Sequence, residues 1–170
     1  MPHNDLHDDE VDSRAAPPTA DEVDTAREVI ETLLGKMGMD ASVHVEAGED
    51  AVMASLDGED AGRLIGRQGQ TLDALQYVVN RMVRQPVPHA PVYLDVAGYR
   101  ERRREMLEAM AHKLAQKAIT EHRPVTVEPM SARDRRTMHL ALSKVSGVTT
   151  RSRGEGEDRQ LQIFPVSAKK

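Results

Sequence analysis

The chain has 170 residues, no cysteine and a formal net charge of −5. This length allows one or two small domains. Without cysteine there can be neither disulfides nor thiolate metal sites, and such a composition is typical of a reducing compartment. The first residues lack the basic and apolar regions of a signal peptide, and no apolar run reaches the roughly 18 residues that a membrane helix needs. We therefore expect a soluble, cytoplasmic protein without membrane insertion.

Charge is distributed unevenly along the chain. Residues 1–60 carry 17 acidic and 3 basic side chains, a net −14, whereas residues 61–170 carry 20 basic and 11 acidic side chains, a net +9. A basic half favours contact with a polyanion, although a solvated, ion-paired surface explains the charge equally well. Aromatic residues are scarce, which disfavours modules that stack bases on aromatic platforms.

The first 98 residues are predicted to form an acidic tail and one domain. Residues 1–20 are expected to be disordered, because they hold too few apolar side chains to offset the ordering entropy. Periodicity and turn residues then predict a helix from Asp21 that ends near Gly35 or Gly38, strands at 41–47 and 51–56, a short helix at about 60–65, a helix from about Gln70 to Arg84, and a strand at 92–96. The core stripe of the third helix is predicted to be Leu72, Leu75, Val79, Met82 and Val83.

Residues 99–170 are predicted to form a second domain. The expected elements are a helix from Tyr99 to about Glu121, a strand at 124–127, a helix from Ala132 to Lys144, and strands at 148–153 and 159–165 around a turn at 154–157. Ser131 is the predicted N-cap of the second helix, with Asp134 at N3 in a variant of the capping box.

A basic collar formed by Arg100, Arg102, Arg103 and Arg104 begins the long helix. At 100° per residue these side chains cannot share one face. Two interpretations remain open for the collar. It contacts a polyanion, or it is a solvated helix start in which Arg100 and Arg104 pair with the glutamates interleaved among them.

A glycine loop, Gly66-Arg67-Gln68-Gly69, follows an apolar pair and precedes an amphipathic helix. Glycine lets a polymer backbone come close, and the following helix offers free N–H groups and the positive end of its dipole to phosphate. A Gly-x-x-Gly loop that clamps a nucleic-acid backbone is the device of KH domains. The alternative is a tight turn without a ligand, but the order of flanking elements favours backbone binding. The expected contacts are phosphate contacts from Arg63 and Arg67, loop contacts from Gly66, Gln68, Gly69 and Gln70, and apolar contacts to bases from Leu64, Ile65 and Leu72.

Arg135 and His139 form a second candidate site, because residues at i and i+4 project from one helical face. A forked cationic donor beside an imidazole suits a terminal phosphate or a strand backbone. The alternative is a surface arginine beside a histidine that only packs. Other chemistries find little support, since no Gly-Lys-Ser/Thr follows the glycine loop, the histidines lack metal spacing, and no nucleophile motif is recognisable.

Three segments together make the chain resemble the Jag (KhpB-like) family of bacterial RNA-binding proteins. The first is Leu64 to Tyr77 with the glycine loop. The second runs from Glu128 through Arg135 and His139 to Leu142, and the third is Thr150-Arg151-Ser152-Arg153-Gly154-Glu155-Gly156.

The resemblance implies an α+β fold, in which a prokaryotic-type (type II) KH domain at 21–98 precedes a small α/β Arg-x-x-x-His domain at 99–170. It implies binding of single-stranded RNA, with single-stranded DNA as an alternative ligand, in an RNA-chaperone or post-transcriptional role linked to cell shape and envelope growth. It also implies pairing with a small single-KH-domain protein, no cofactor and no catalysis. The second-domain site is expected to comprise Arg135, Arg136, His139, Arg151 and Arg153.

One departure and two rival functions accompany this resemblance. Many relatives carry an N-terminal Jag domain, and here the acidic tail occupies its place, which puts any role of that domain in doubt. The first rival is a scaffold that pairs with another KH protein and contacts RNA only secondarily. The second is an enzyme that acts on phosphate esters through Arg135 and His139, although neither metal ligands nor a nucleophile accompany them.

Overall fold

The computed structural model describes residues 16–84 and 90–166, so most of the predicted acidic tail lies outside the described residues. The helices are α1 (Ala20–Met37), α2 (Ala61–Ile65), α3 (Gln70–Val83), α4 (Tyr99–Glu121) and α5 (Ala132–Ser143). The strands are β1 (Ser42–Ala47), β2 (Val52–Asp57), β3 (Val92–Val96), β4 (Val125–Thr126), β5 (Val148–Arg153) and β6 (Gln160–Pro165). The predicted order of helices and strands and the α+β class are confirmed.

The described residues form two compact units. The first unit contains the chain up to Asp60 together with 74–94, and the second contains 61–73 together with the chain from Asp95 onward. The glycine loop and the first turn of α3 therefore belong to the second unit. The domain division at residue 98 that the sequence suggests remains a prediction, since these units are groups of packed residues.

In the first unit, α1 begins at a capping box. The Thr19 side chain accepts a hydrogen bond from the Glu22 N–H, and the Glu22 carboxylate accepts one from the Thr19 N–H at 2.8 Å. The helix ends at Gly38, which has φ +64°. Gly35 lies inside the helix, so of the two glycines predicted to end it only Gly38 does so. The three-stranded sheet of this part of the chain has the order β1-β2-β3.

Two amide side chains of α3 hold the main chain of β3. Gln76 donates to the Val92 carbonyl at 2.9 Å and accepts from the Leu94 N–H at 3.0 Å. Asn80 donates to the same carbonyl at 2.7 Å and accepts from the Val92 N–H at 2.9 Å. The predicted core stripe of α3 is confirmed at four positions. The prediction for Met82 is wrong, because its side chain is exposed.

In the second unit, α4 and α5 pack on a three-stranded antiparallel sheet with the order β4-β6-β5. The predicted hairpin of β5 and β6 is confirmed, with Thr150 opposite Ile163 and Ser152 opposite Leu161. The shared core consists of Leu107, Ala111, Ala115, Ala118, Val127, Met130, Met138, Ala141, Leu142, Leu161 and Ile163. Small residues on α4 allow close packing of the helix on the sheet.

Neither a membrane span nor a metal cluster occurs in the described part of the chain. No helix within residues 16–84 and 90–166 has the length and apolar character needed to cross a bilayer. The same residues contain no group of three or more His, Asp or Glu side chains placed to hold a metal ion.

Candidate nucleic-acid interface

The glycine loop adopts a conformation that requires glycine at both ends. Gly66 has φ +68° and Gly69 has φ +86°. A Cβ on Gly66 would lie 2.0 Å from Thr71 Oγ1, and a Cβ on Gly69 would lie 2.8 Å from Tyr99 Cε1. Gln68, between them, has φ +53°, a left-handed conformation that is uncommon for a side chain of its type. The two glycines are therefore fixed by local geometry, whether or not a ligand binds.

Two main-chain donors of the loop are unused within the described chain. The Gly66 N–H bonds to the Gly62 carbonyl at 3.0 Å, and the Gly69 N–H bonds to the Gly66 carbonyl at 3.5 Å. No described residue accepts a hydrogen bond from the N–H of Arg67 or Gln68. Both donors lie just before α3, where the positive end of the helix dipole adds to their attraction for an anion.

The side chains around the loop differ in their access to a ligand. Arg63 and Arg67 are exposed, as is Gln70, and Ile65 is half-buried. Leu64 and Leu72 are both fully buried, at 0% exposure. The prediction that these two leucines present their side chains to bases is wrong, because they form part of the hydrophobic core beneath the loop. Of the three apolar residues, only Ile65 retains accessible surface.

The basic collar at the start of α4 is used in internal contacts. Arg104 pairs with Glu108 at 2.7 Å and with Glu101. For Arg104, this confirms the interpretation in which the collar arginines pair with the glutamates interleaved among them. Arg102 donates to the Ala97 carbonyl. Arg100 pairs with Asp73 of α3 at 3.0 Å.

Arg103 forms a buried ion pair with Asp134. Arg103 Nη2 lies 2.7 Å from Asp134 Oδ2, and the two side chains are 17% and 7% exposed. The Ser131 hydroxyl accepts from the Asp134 N–H at 3.1 Å, so the predicted N-cap of α5 is confirmed. The carboxylate itself accepts two hydrogen bonds from Arg103. Burial raises the pKa of the neighbouring Tyr99 phenol, Arg103 opposes this shift, and the carboxylates of Asp134 and Asp73 add to it.

A shallow groove of about 530 Å³ lies on the exposed side of α5. Its lining residues are Ala132, Arg135, Arg136, His139, Leu140 and Ser152. Arg135 donates to the Met130 carbonyl at 2.8 Å, which anchors its guanidinium. His139 Nδ1 is hydrogen-bonded to Thr150 Oγ1, which leaves Nε2 for a second contact. The predicted pairing of Arg135 and His139 on one face is therefore confirmed.

Strand β5 does not present its arginines to this groove. Side chains alternate between the faces of a strand, and Thr150 and Ser152 are the residues that face His139 and the groove. Arg151 and Arg153 are exposed on the opposite face of the sheet, where Arg151 lies opposite Gln162 of β6. The structure thus separates these two arginines from the other predicted residues of the second site.

Several residues of the two sites escaped the sequence reasoning. Thr150, Ser152 and Leu140 lie in the segments that carry the family resemblance, but the sequence analysis assigns the site to other residues of those segments. The period of two along β5 was a usable signal, because it shows that Thr150 and Ser152 share a face from which Arg151 is excluded. No local signal pointed to Tyr99 as the neighbour of Gly69, since the two residues are 30 positions apart in the sequence.

Comparison with known proteins matches two domain families to this chain. Residues 24–95 match the KH domain of KhpA and KhpB, and residues 105–165 match the R3H domain. The first match contains the glycine loop, and the second contains the groove.

Similar whole proteins carry the name RNA-binding protein KhpB. The protein of Clostridium symbiosum is 41% identical over 143 residues, which cover 82% of this chain and 64% of that protein. The protein of Bacillus subtilis is 32% identical over 146 residues, which cover 84% and 70%. That of Streptococcus pneumoniae is 30% identical over 139 residues, covering 79% and 41%. The chain spans about two fifths to seven tenths of the length of these curated relatives. With both domains in the same order and matches over most of its length, the chain belongs to the KhpB (Jag) family.

Proposed function

We propose that this chain binds single-stranded RNA, through the glycine loop and through the groove. The observation that carries the proposal is the pair of N–H groups at Arg67 and Gln68, from which no described residue accepts a hydrogen bond and which lie just before the first turn of α3. Two adjacent main-chain donors at a helix start suit the oxygens of one phosphate group. The name of the similar KhpB proteins supports RNA as the polyanion.

The loop recognises a backbone and not a base sequence. Main-chain N–H groups read phosphate positions, which carry no sequence information. The Arg67 side chain is exposed and has no partner among the described residues, so it is free to add a charge-assisted contact to the same phosphate. Because Leu64 and Leu72 are buried, a base at the loop can contact Ile65 or stack on a neighbouring base of the RNA.

The groove supplies a second contact from side chains. The guanidinium groups of Arg135 and Arg136 are donors around one concavity, together with the hydroxyl of Ser152 and the second ring nitrogen of His139, which donates or accepts according to its tautomer. Leu140 is 55% exposed at its margin and offers an apolar surface to a base or ribose. Donors and an apolar wall in one groove suit a nucleotide better than an isolated anion.

The test replaces the middle of the loop and leaves the glycines in place. A glycine replacement would clash with Thr71 or Tyr99 and would confuse misfolding with lost binding. In Arg67→Asp/Gln68→Asp, two carboxylates face the unused N–H groups and repel phosphate, while aspartate tolerates the left-handed conformation of residue 68. The matched control, Arg67→Asn/Gln68→Asn, has the same shape without the negative charge.

Fluorescence anisotropy with labelled oligouridine measures the result. We expect the Asp pair to lose affinity by about tenfold or more, equivalent to about 1.4 kcal/mol, and the Asn pair to lose much less. Circular dichroism checks that both variants are folded. Equal affinity of the wild type and the Asp pair would move the principal site to the groove, and no binding by the wild type would reject RNA as the ligand.

Salt dependence tests the electrostatic part. If about 4 to 6 phosphates are neutralised, the logarithm of the association constant falls with the logarithm of salt concentration with a slope of about −3 to −4 for a single strand. A slope near zero contradicts the proposal. Oligodeoxyuridine, which differs from oligouridine only by the missing 2′-hydroxyl, is measured in parallel and shows whether that hydroxyl matters and whether DNA is an equal ligand.

A second candidate function, pairing with a small single-KH-domain protein, rests on an apolar patch of α3. Val78 and Met82, spaced i and i+4 on one face of the helix, are both exposed, and Tyr77, next to Val78 in the chain, is 72% exposed. Exposed apolar patches of this kind mark interaction surfaces. Light scattering of the chain with and without such a partner, repeated with Tyr77→Ser/Met82→Ser, tests it. Unchanged pairing by the double variant excludes this patch.

The proposal is for a cytoplasmic protein that binds RNA without cleaving it, in an RNA-chaperone or post-transcriptional role. The links to cell shape and envelope growth that the family suggests stand as part of the same proposal. Prolonged incubation of the wild type with labelled RNA, followed by electrophoresis, tests the absence of catalysis. Cleavage that Arg135→Gln abolishes would restore the enzyme hypothesis.

A further inference from the structure

Arg133, in the first turn of α5, connects the two proposed RNA contacts of the second unit. Its Nη1 lies 3.4 Å from Oδ1 of Asp73, in the first turn of α3 directly after the glycine loop. The same oxygen accepts from Arg100 Nη1 at 3.0 Å. One carboxylate is thus shared by two guanidinium groups, and the cluster keeps a net positive charge.

The two ion pairs of Asp73 are not equivalent. The Arg100 side chain is 22% exposed, and the N–H of its main chain is held at 3.1 Å by Asp95. Arg133 is 58% exposed and makes the longer contact. An exposed, long ion pair contributes little stability, whereas a guanidinium forms strong, often bidentate hydrogen bonds with phosphate. A phosphate group that comes near can therefore take Arg133 from Asp73 while Arg100 stays in place.

Arg133 lies on the same exposed stripe of α5 as two residues that line the groove. Arg133, Arg136 and Leu140 are spaced i, i+3 and i+7, so they form one exposed stripe on the helix. Arg136 and Leu140 line the groove, and Arg133 lies about 4.5 Å before Arg136 along the helix axis. At its other end, Arg133 meets the helix turn that follows the glycine loop. Gly69 is packed under Tyr99 of α4, which fixes that loop within the same unit.

We propose that Arg133 is a phosphate ligand that joins the glycine loop and the groove into one continuous RNA track, and that Asp73 holds its side chain until RNA arrives. The inference rests on the proposed function, since it assigns a further contact to the same ligand. The track then runs from Arg67 of the loop, past Arg133, to Arg136 and His139. One strand occupies both contacts, and only an RNA long enough to pass Arg133 gains from the second.

Asp73 weakens RNA binding in this proposal, whereas Arg133 strengthens it. Its carboxylate competes with phosphate for Arg133 and repels the strand. Asp73→Asn keeps the shape and the hydrogen-bonding ability of the side chain but removes the charge. Binding of a long RNA should therefore tighten in this variant, whereas a purely structural role for the ion pair would make binding weaker or leave it unchanged.

The experiment compares Arg133→Gln with the wild type on two lengths of labelled oligouridine. The short probe has about 4 nucleotides, the number that a KH loop clamps, and the long probe has about 12. Arg81→Gln is the matched control, because Arg81 is an exposed helix arginine without a partner among the described residues. Circular dichroism and thermal melting report whether each variant keeps its fold.

For the long probe, we expect Arg133→Gln to bind about fivefold more weakly than the wild type at about 0.1 M salt, with the salt slope reduced by about 0.7, the value of one phosphate contact on a single strand. Its affinity for the short probe should match that of the wild type. Asp73→Asn should bind the long probe more tightly, and Arg81→Gln should stay close to the wild type on both probes.

Two results would overturn the inference while leaving RNA binding intact. One is an Arg133→Gln variant that matches Arg81→Gln on the long probe. The other is equal weakening by Arg133→Gln and Asp73→Asn together with a lower melting temperature in both, which would make the ion pair structural. If the wild type binds neither probe, the proposed function itself fails, and this outcome is distinct from the other two.

Discussion

The glycine loop and the groove belong to the same compact unit but are built in opposite ways. The loop offers main-chain donors, and its shape depends on glycine at positions 66 and 69, where any Cβ would clash. The groove offers side chains, brought together from α5 and β5 and held by hydrogen bonds such as that of Arg135 to the Met130 carbonyl.

This difference determines how each site responds to substitution. In the loop, the glycines resist replacement because a Cβ at either position would clash, whereas Arg67 and Gln68 already carry side chains in this conformation and can be exchanged for other side chains. In the groove, the backbone is an ordinary helix and strand, and the side chains carry the chemistry. Replacing a loop glycine should therefore cost stability, whereas replacing a donor side chain of the groove should cost affinity with the fold intact.

Asp134→Ala should have the largest effect on stability, because Asp134 anchors α5, the helix that carries the groove. Asp134→Ala removes the partner of Arg103 and leaves a largely buried guanidinium, 17% exposed, without its counter-charge. Breaking a buried pair in this way costs about 3 kcal/mol or more of the free energy of unfolding. Urea denaturation followed by circular dichroism measures the loss.

Glu108→Ala is the control for this prediction, because it removes a carboxylate from the exposed pair with Arg104 on the same helix. Its unfolding midpoint should stay near that of the wild type. Comparable losses in the two variants would mean that the Arg103–Asp134 pair contributes no more than a surface contact.

Gly66→Ala tests the claim that loop geometry itself requires glycine. The new methyl group would meet Thr71 Oγ1 at 2.0 Å in a residue with φ +68°. We expect a loss of about 1–3 kcal/mol in the free energy of unfolding, from strain and clash together. Gly62→Ala, one turn earlier in α2, has open space around the new Cβ and should be neutral or stabilise by up to about 1 kcal/mol. Stability losses of similar size at both positions would contradict the geometric argument.

Much of this architecture was predictable from the sequence, because its signals are local. The glycines, the apolar period of α3 and the N-cap Ser131 each specify structure within a few residues. The burial of Leu72 was also predictable, since the apolar period of α3 places Leu72 in the core and one side chain cannot both fill the core and contact a base.

The features that could not be predicted depend on contacts between distant segments. Asp73 meets Arg100 and Arg133 only after the chain has folded, and no spacing rule links positions 73 and 133. The placement of Tyr99 on Gly69 is of the same kind. Arg151 and Arg153 illustrate a different limit, because the family resemblance suggested a role for them that the alternation of side chains along β5 denies them in the groove.

Thr150→Val tests whether the hydroxyl of Thr150 orients His139 in the groove. The substitution preserves the shape of the strand residue and removes the hydroxyl that is hydrogen-bonded to His139 Nδ1. A lost hydrogen bond of this type costs about 1 kcal/mol, and if all of it appears as lost orientation of His139, RNA affinity falls by at most about fivefold with the fold intact. Nitrogen NMR shifts of the imidazole should report a changed tautomer balance. Unchanged shifts and affinity would mean that Thr150 does not orient His139 for binding.

Arg151→Gln/Arg153→Gln should have the smallest effect, although it removes two positive charges. Both side chains lie on the face of the sheet away from Ser152 and the groove, and screening at about 0.15 M salt limits the reach of exposed charges to about 8 Å. Affinity for the long oligouridine should therefore stay within about twofold of the wild type, while Arg136→Gln, which removes one charge from the groove itself, should weaken binding of this probe more. If the double variant lost more affinity than Arg136→Gln, the RNA would have to reach around the edge strand β5 to the open face of the sheet. The groove would then be only the beginning of a larger site, and the contrast between a main-chain loop and a side-chain groove would have to include a third surface.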